Sequence, residues 1–197
     1  MFFNEEEIIL ASASPRRRDY LTELGLDFTV QAPDIDETRI PGETPQEYVV
    51  RLAEMKGRSI SASAPGAWVV SGDTVVCLGS EILGKPEDEG DAIRLLMKLS
   101  GKCHTVISSY SLQHFTKKVC ETSWEATQVT FARFSENLAR AYAATGEPLD
   151  KAGAYGIQGR GAVLVESITG SYSNVVGVPL RELFATLQKY GIVFPSK

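Results

Sequence analysis

Four short segments carry more charge and hydroxyl chemistry than a turn requires. Ser12-Ala13-Ser14-Pro15-Arg16-Arg17-Arg18 follows an apolar run and opens a helical pattern at Pro15. Backbone N–H groups at a helix start favour an anion. Hydroxyls and adjacent guanidiniums add charge-assisted bonds to phosphate oxygens. Three cations at that end oppose the helix dipole, so they cost stability unless an anion is bound. A solvated basic turn is the competing reading. Asp34-Ile35-Asp36-Glu37 clusters carboxylates that suit a metal or a base, or simply water. Ser71-Gly72-Asp73-Thr74 follows the apolar run Trp68-Val69-Val70. An Asp at the carboxyl end of a buried strand stands where α/β sheets place ligands. It can hold a hard cation or orient a water, or cap its own backbone in a turn.

Gly84-Lys85-Pro86 is the fourth segment. Lys before Pro is kept extended, so its ammonium can be aimed, unless it is a plain surface lysine. Walker spacing is absent, so this is no P-loop. Lys56, on a predicted helix, is unremarkable alone. The stretch Asp150-Lys151-Ala152-Gly153-Ala154-Tyr155-Gly156-Ile157-Gln158-Gly159 is rich in glycines that permit close backbone approach to a ligand. Within it Tyr155 offers a stacking ring, and Gln158 offers both a donor and an acceptor, as base reading requires. His104 and His114 lack a partner motif and read as structural. No Ser-His-Asp order or nucleophile elbow is present, so covalent catalysis is not indicated.

The elements that must position these groups alternate. Strands are predicted at Ile8–Ala11, Leu26–Gln31 and Trp68–Val70, the last ending at Ser71–Thr74. A hairpin over Val75–Leu78 and Glu81–Leu83, strands over 103–113 and 119–131, and a strand over Ala162–Ile168 follow. Helices are predicted from Pro15 to Leu24, from Thr44 to about Ser61, and over Glu89–Leu99, Ser135–Thr145 and Pro179–Tyr190. Thr44-Pro45-Gln46-Glu47 carries a capping-box signature. Residues 149–161 read as a loop. The order predicts an α/β fold with a twisted mixed sheet flanked by helices. With no repeat or linker, any two lobes must be interleaved, and 1–197 is expected to be one domain.

The chain has 197 residues, 25 Asp and Glu against 20 Lys and Arg, and a net charge of −5. Hydrophobic residues at 43% and charged residues at 23% suit a folded domain rather than a disordered chain. The acidity argues against wrapping nucleic acid, though a small phosphorylated ligand depends on local charge. No apolar run approaches the ~20 residues needed to span a bilayer. The acidic start Met1-Phe2-Phe3-Asn4-Glu5-Glu6-Glu7 lacks the basic region of an export signal. Cys77, Cys103 and Cys120 have neither CxxC nor zinc spacing. They read as buried thiols of a reducing compartment, so the expected location is the cytoplasm.

Taken together, these segments resemble the Maf family of nucleoside triphosphate pyrophosphatases. The matching stretches are Leu10–Arg17, Tyr48–Ala53 with Lys56, Gly72–Val76, Leu83–Pro86, Leu99–Gly101, Asp150–Gly159 and Gly177–Leu180. They keep the family order from Ile8 to about Tyr190. The resemblance implies a fold related to the inosine triphosphate pyrophosphatases, with a central cleft between two lobes. It implies hydrolysis of a nucleoside triphosphate to a monophosphate and pyrophosphate, with Mg²⁺ or Mn²⁺ as cofactor, in a homodimer.

Carried over by position, Asp73 matches the proton acceptor that activates water. Glu37 matches the carboxylate that helps hold the metal, with Asp73 as its partner ligand. Ser12, Arg16, Arg17, Lys56 and Lys85 match the polar and cationic groups around the triphosphate. Arg16, Thr74 and Gln158 are of the type found in the branch that prefers dTTP and UTP rather than 7-methyl-GTP; CTP and modified pyrimidine nucleotides are compatible. Gln158 is expected to bond the O4/N3 edge of the base. Ser71 stands where Ala is common, a small-for-small change.

Two other classes compete. A non-catalytic nucleotide-binding regulator of cell division is one, and the intact Glu37, Lys56, Asp73 and Lys85 argue against it. A nucleotidyltransferase is the other, but it needs a glycine-rich loop after the first strand, and Ser12–Arg18 contains no glycine.

Overall fold

The computed structural model describes residues 2–196; Met1 and Lys197, the outermost residues of the expected 1–197 domain and of the acidic start, lie outside the described residues. The elements in chain order are β1 (Phe2–Asn4), β2 (Ile8–Ala11), α1 (Pro15–Glu23), β3 (Phe28–Val30), α2 (Pro45–Ser61), β4 (Trp68–Leu78) and β5 (Glu81–Leu83). Then come α3 (Glu89–Leu99), β6 (Cys103–His114), β7 (Val119–Phe131), α4 (Glu136–Ala143), β8 (Val165–Thr169), α5 (Tyr172–Val176), α6 (Leu180–Lys189) and β9 (Val193–Pro195).

The larger sheet runs in the order β3-β2-β4-β6-β7-β8, with β5 on β4. β2 pairs in parallel with β3 and β4, whereas β5 pairs antiparallel with β4 and β8 antiparallel with β7. The sheet is therefore mixed and helices accompany it, as the alternating pattern predicts. β1 and β9 form a separate antiparallel pair between the two ends of the chain.

The chain divides into two compact units that are interleaved in sequence. The first comprises residues up to Asp73, Ser108–Trp124 and Gly177 onward; the second comprises Thr74–Ile107 and Glu125–Val176. Each has its own apolar core. The first is built on Ile8, Leu10, Trp68, Leu112 and Leu183. The second is built on Leu83, Leu96, Val106, Phe131 and Leu164. Burial of such side chains contributes roughly 1.5–3 kcal/mol each.

Several expectations are corrected. β4 does not end at Ser71–Thr74 but continues without a break to Leu78, so Asp73 lies inside a strand. Polar and glycine residues there resemble a turn, yet Ser71 and Gly72 are both buried in the sheet. Of the cysteines, Cys77 is buried, but Cys103 and Cys120 are exposed, and among the described residues none of the three is in a disulfide. β3 is shorter than the predicted Leu26–Gln31, and β8 starts at Val165 because the residues before it form 3-10 turns. Among the described residues no helix is long and apolar enough to cross a membrane.

Candidate active site

The first unit gathers most of the expected groups. Ser12 follows β2 and is buried. Its Oγ accepts from the Ser14 N–H at 3.1 Å and from Arg17 Nη1 at 3.3 Å. The Arg17 Nε donates to the Gly177 carbonyl at 3.0 Å. Arg17 is thus held by both the turn before α1 and the chain before α6. α1 has no acidic residue in its first turn and no side-chain cap from Ser14. Its start is left cationic, with Arg16 half-buried beside Arg17. Burial pulls the Arg17 guanidinium below its ordinary value; the Asp73 charge opposes this, Arg16 adds to it, and Glu37 opposes it.

Lys56 is 8% exposed, although lysine is rarely buried without a partner. Its Nζ lies 2.7 Å from Glu37 Oε1 and 2.7 Å from Asp73 Oδ1. α2 brings Lys56 there because the sheet grips the helix backbone. Ser109 Oγ donates to the Val49 carbonyl and Ser71 Oγ to the Ala53 carbonyl, both at 2.6 Å, and Gln113 Nε2 donates to the Glu54 carbonyl at 2.9 Å. The predicted capping box is present, with Thr44 and Glu47 bonded reciprocally. α2 also secures the acidic loop. Tyr48 Oη donates to the Glu37 carbonyl at 2.9 Å. Arg51 donates to Glu43 Oε1 at 2.6 Å and to the Thr38 carbonyl at 3.1 Å. Burial pushes the Tyr48 phenol up, and the Asp73 and Glu37 charges push the same way.

Asp73 is fixed through its neighbours. Its N–H donates to Ser109 Oγ at 3.3 Å. A Cβ on Gly72 would come within 2.5 Å of the Ser109 carbonyl oxygen, so only glycine fits where β4 passes β6. Sequence reasoning missed Ser109 and the tethering role of Tyr48. The available signal was Ser108-Ser109-Tyr110-Ser111, a run of hydroxyls in a strand otherwise patterned for burial.

Thr74, Lys85 and Gln158 belong to the second unit. Thr74 is half-buried on β4, next to Asp73 in sequence; Lys85 and Gln158 are exposed. The Gly153 N–H donates to the Gly84 carbonyl at 3.0 Å, so the segment carrying Lys85 is bonded to the loop carrying Gln158. Tyr155 is not an exposed stacking ring: it is buried, with its hydroxyl 2.8 Å from His104 Nε2. Both histidines are buried, in keeping with a structural role.

Among the described residues, no group of three or more His, Cys, Asp or Glu side chains is arranged to hold a metal ion. Two carboxylate oxygens, on Glu37 and Asp73, converge on one ammonium instead. That donor set fits Mg²⁺ or Mn²⁺ taking its remaining oxygens from phosphate and water, because Mg²⁺ is commonly held by one or two carboxylates.

A family model described as Maf-like protein matches residues 7–190. The chain belongs to this family. Among its curated relatives, a dTTP/UTP pyrophosphatase of Desulfotalea psychrophila is 48% identical over 98% of this chain and 99% of the relative. A protein of the same name from Myxococcus xanthus is 48% identical over 95% of this chain and 94% of its own length. Among solved structures, the Staphylococcus aureus Ham1 protein aligns with a TM-score of 0.42 at 16% identity, over 64% of this chain and 72% of that one. The seven stretches that resemble the Maf-like family therefore belong to a match over nearly the whole sequence.

Proposed function

We propose that this Maf-like protein hydrolyses dTTP and UTP, and related pyrimidine nucleotides, to the nucleoside monophosphate and pyrophosphate. The observation that carries this reading is the buried Lys56 ammonium shared by Glu37 and Asp73. Arg17, bonded to Ser12 at the start of α1, feels the charges of both Asp73 and Glu37. Cations and paired carboxylates in one place suit a polyanion bound with a divalent metal. The names of the relatives supply the substrate class.

In this reading Asp73 takes a proton from a water whose oxygen bonds to the α-phosphorus. The bond from that phosphorus to the bridging oxygen breaks, and pyrophosphate leaves with the electron pair. Lys56 holds Asp73 and Glu37 in place and offsets their repulsion. Ser12, Arg16, Arg17 and Lys85 bind phosphate oxygens, whose positioning and charge stabilisation dominate such reactions. Glu37 and Asp73 would hold Mg²⁺ or Mn²⁺, which supplies charge neutralisation at the phosphates. Gln158 reads the base edge, with Thr74 and Arg16 completing the pyrimidine preference. The two units work as one nucleotide pyrophosphatase domain, in a cytoplasmic homodimer.

The test is pyrophosphate release from a panel of nucleoside triphosphates, including 7-methyl-GTP, in the presence of Mg²⁺. UTP and dTTP are expected to turn over fastest. Binding of these nucleotides without pyrophosphate release overturns the enzymatic reading in favour of a nucleotide-binding regulator.

A further inference from the structure

Glu147 lies outside every stretch assigned a role above, in the 3-10 turn after α4. Its carboxylate faces the backbone of the glycine-rich loop. Oε2 accepts from the Arg160 N–H at 3.1 Å, and Oε1 accepts from the Gly161 N–H at 3.1 Å. Oε1 also accepts from Tyr142 Oη at 2.9 Å, and the same hydroxyl accepts from the Gly156 N–H at 3.1 Å. Two side chains on one support therefore bond three backbone N–H groups that flank Gln158 on both sides. The arc has no room to relax inward. A Cβ on Gly161 would lie 2.3 Å from the Gly156 carbonyl oxygen and 2.5 Å from Tyr142 Oη.

An ionised carboxylate suits this place, because bonds from N–H groups to a charged acceptor are stronger than neutral ones. Burial raises the Glu147 carboxyl, but the bonds from Tyr142, Gly161 and Arg160 outweigh it and hold it below the usual carboxylate range. The residue it frames, Gln158, is itself exposed.

The geometry points to Glu147 as a positioning residue for base selectivity: with Tyr142 it clamps residues 156–161 so that Gln158 is presented in one place. This rests on the reading of Gln158 as the group that bonds the pyrimidine edge. The clamp acts before chemistry, so its loss should raise KM for the preferred base and leave kcat nearly unchanged.

The experiment compares UTP and GTP hydrolysis by the wild type, Glu147→Gln, Gln158→Ala and the double variant, with thermal midpoints alongside. Glu147→Gln keeps the size but replaces one acceptor oxygen by a donor. It is expected to lose about tenfold in UTP-over-GTP preference through KM, less than the ~10²-fold that a 1 Å misplacement can cost. The double variant should be no less selective than Gln158→Ala alone, because both act through one contact. A folded Glu147→Gln protein with wild-type selectivity overturns the clamp if Gln158→Ala has lost it. Losses that multiply in the double variant overturn it as well. Unchanged selectivity in Gln158→Ala overturns the base-reading role, and the clamp's purpose with it. Should Glu147→Gln not fold, Tyr142→Phe carries the test. It removes only the hydroxyl and is expected to shift KM in the same direction by a smaller factor; unchanged selectivity there overturns the proposal.

Discussion

Lys56 Nζ and Asp73 Oδ1 are 2.7 Å apart, and both side chains are mostly withdrawn from solvent. Removing one member of an isolated buried pair leaves the survivor without compensation, but here the Lys56 ammonium has a second carboxylate partner in Glu37. Asp73→Asn should lower pyrophosphate release by about 10²–10⁴-fold, the range of general-base assistance. It should stay folded, since Lys56 retains Glu37. Adding Lys56→Met should cost little further activity, because residues acting as a unit are non-additive. Pyrophosphate assays on both single variants and the double variant check this. Full activity in a folded Asp73→Asn protein would sink the assignment.

Metal removal should separate activity from stability. Glu37 and Asp73 already have the Lys56 ammonium as a partner. The fold therefore does not depend on a metal to satisfy them, unlike domains that unfold when stripped of metal. Chelation should abolish turnover, and Mg²⁺ or Mn²⁺ should restore it. The thermal midpoint without nucleotide should barely move. A large fall in that midpoint would show instead that a metal holds the fold together.

Gly72→Ala tests the strand that carries Asp73. The clash is with the backbone carbonyl of Ser109, which has no flexible end to swing away. Ser109 also bonds the Asp73 N–H and the Val49 carbonyl. Overpacking of this kind costs about 1–3 kcal/mol. Urea denaturation should show that loss, and turnover should fall more steeply than the folded fraction because Asp73 is displaced with the strand. A variant as stable and active as the wild type would contradict the close approach.

Much of the fold was legible where local signals agree. α2 was readable because Thr44, Pro45 and Glu47 mark its start and apolar residues recur along one face. α3 was readable from the apolar face of Ala92, Leu95, Leu96 and Leu99 alone; its cap, Asp88 Oδ1 accepting from the Asp91 N–H at 2.8 Å, is added by the structure. Asp73 stands out in the sequence as a candidate, but its setting inside a continuous strand does not. Ser-Gly-Asp-Thr has turn composition, and only the neighbouring strand and α2 explain why it stays extended. β1 and β9 are three-residue strands that pair between distant ends of the chain, and no local pattern encodes such pairing. The link between Lys56 and Glu37 was invisible for a similar reason. It depends on Tyr48 and Arg51 holding the loop backbone against α2.

His104 predicts how stability changes with pH. It is buried, and its Nε2 lies 2.8 Å from the Tyr155 hydroxyl. Burial lowers its pKa from 6.5 to about 4, and a bond to the Lys102 backbone only partly opposes this. The folded state therefore binds fewer protons than the unfolded state between those values. Stability from the neutral ring is fully present above pH 6.5 and is lost as pH falls towards 4. The loss is on the order of 3 kcal/mol, from 1.4 kcal/mol per pKa unit. Tyr155 does not titrate in this window, because burial pushes its phenol up. Urea denaturation of the wild type at pH 7, 6, 5 and 4 should show the decline. His104→Gln should be less stable at pH 7, where a ring packed against Phe131 and Tyr155 is lost. Its stability should nevertheless fall less between pH 6.5 and 4, because glutamine takes up no proton. Equal slopes in the two proteins would show that His104 titrates normally in the fold.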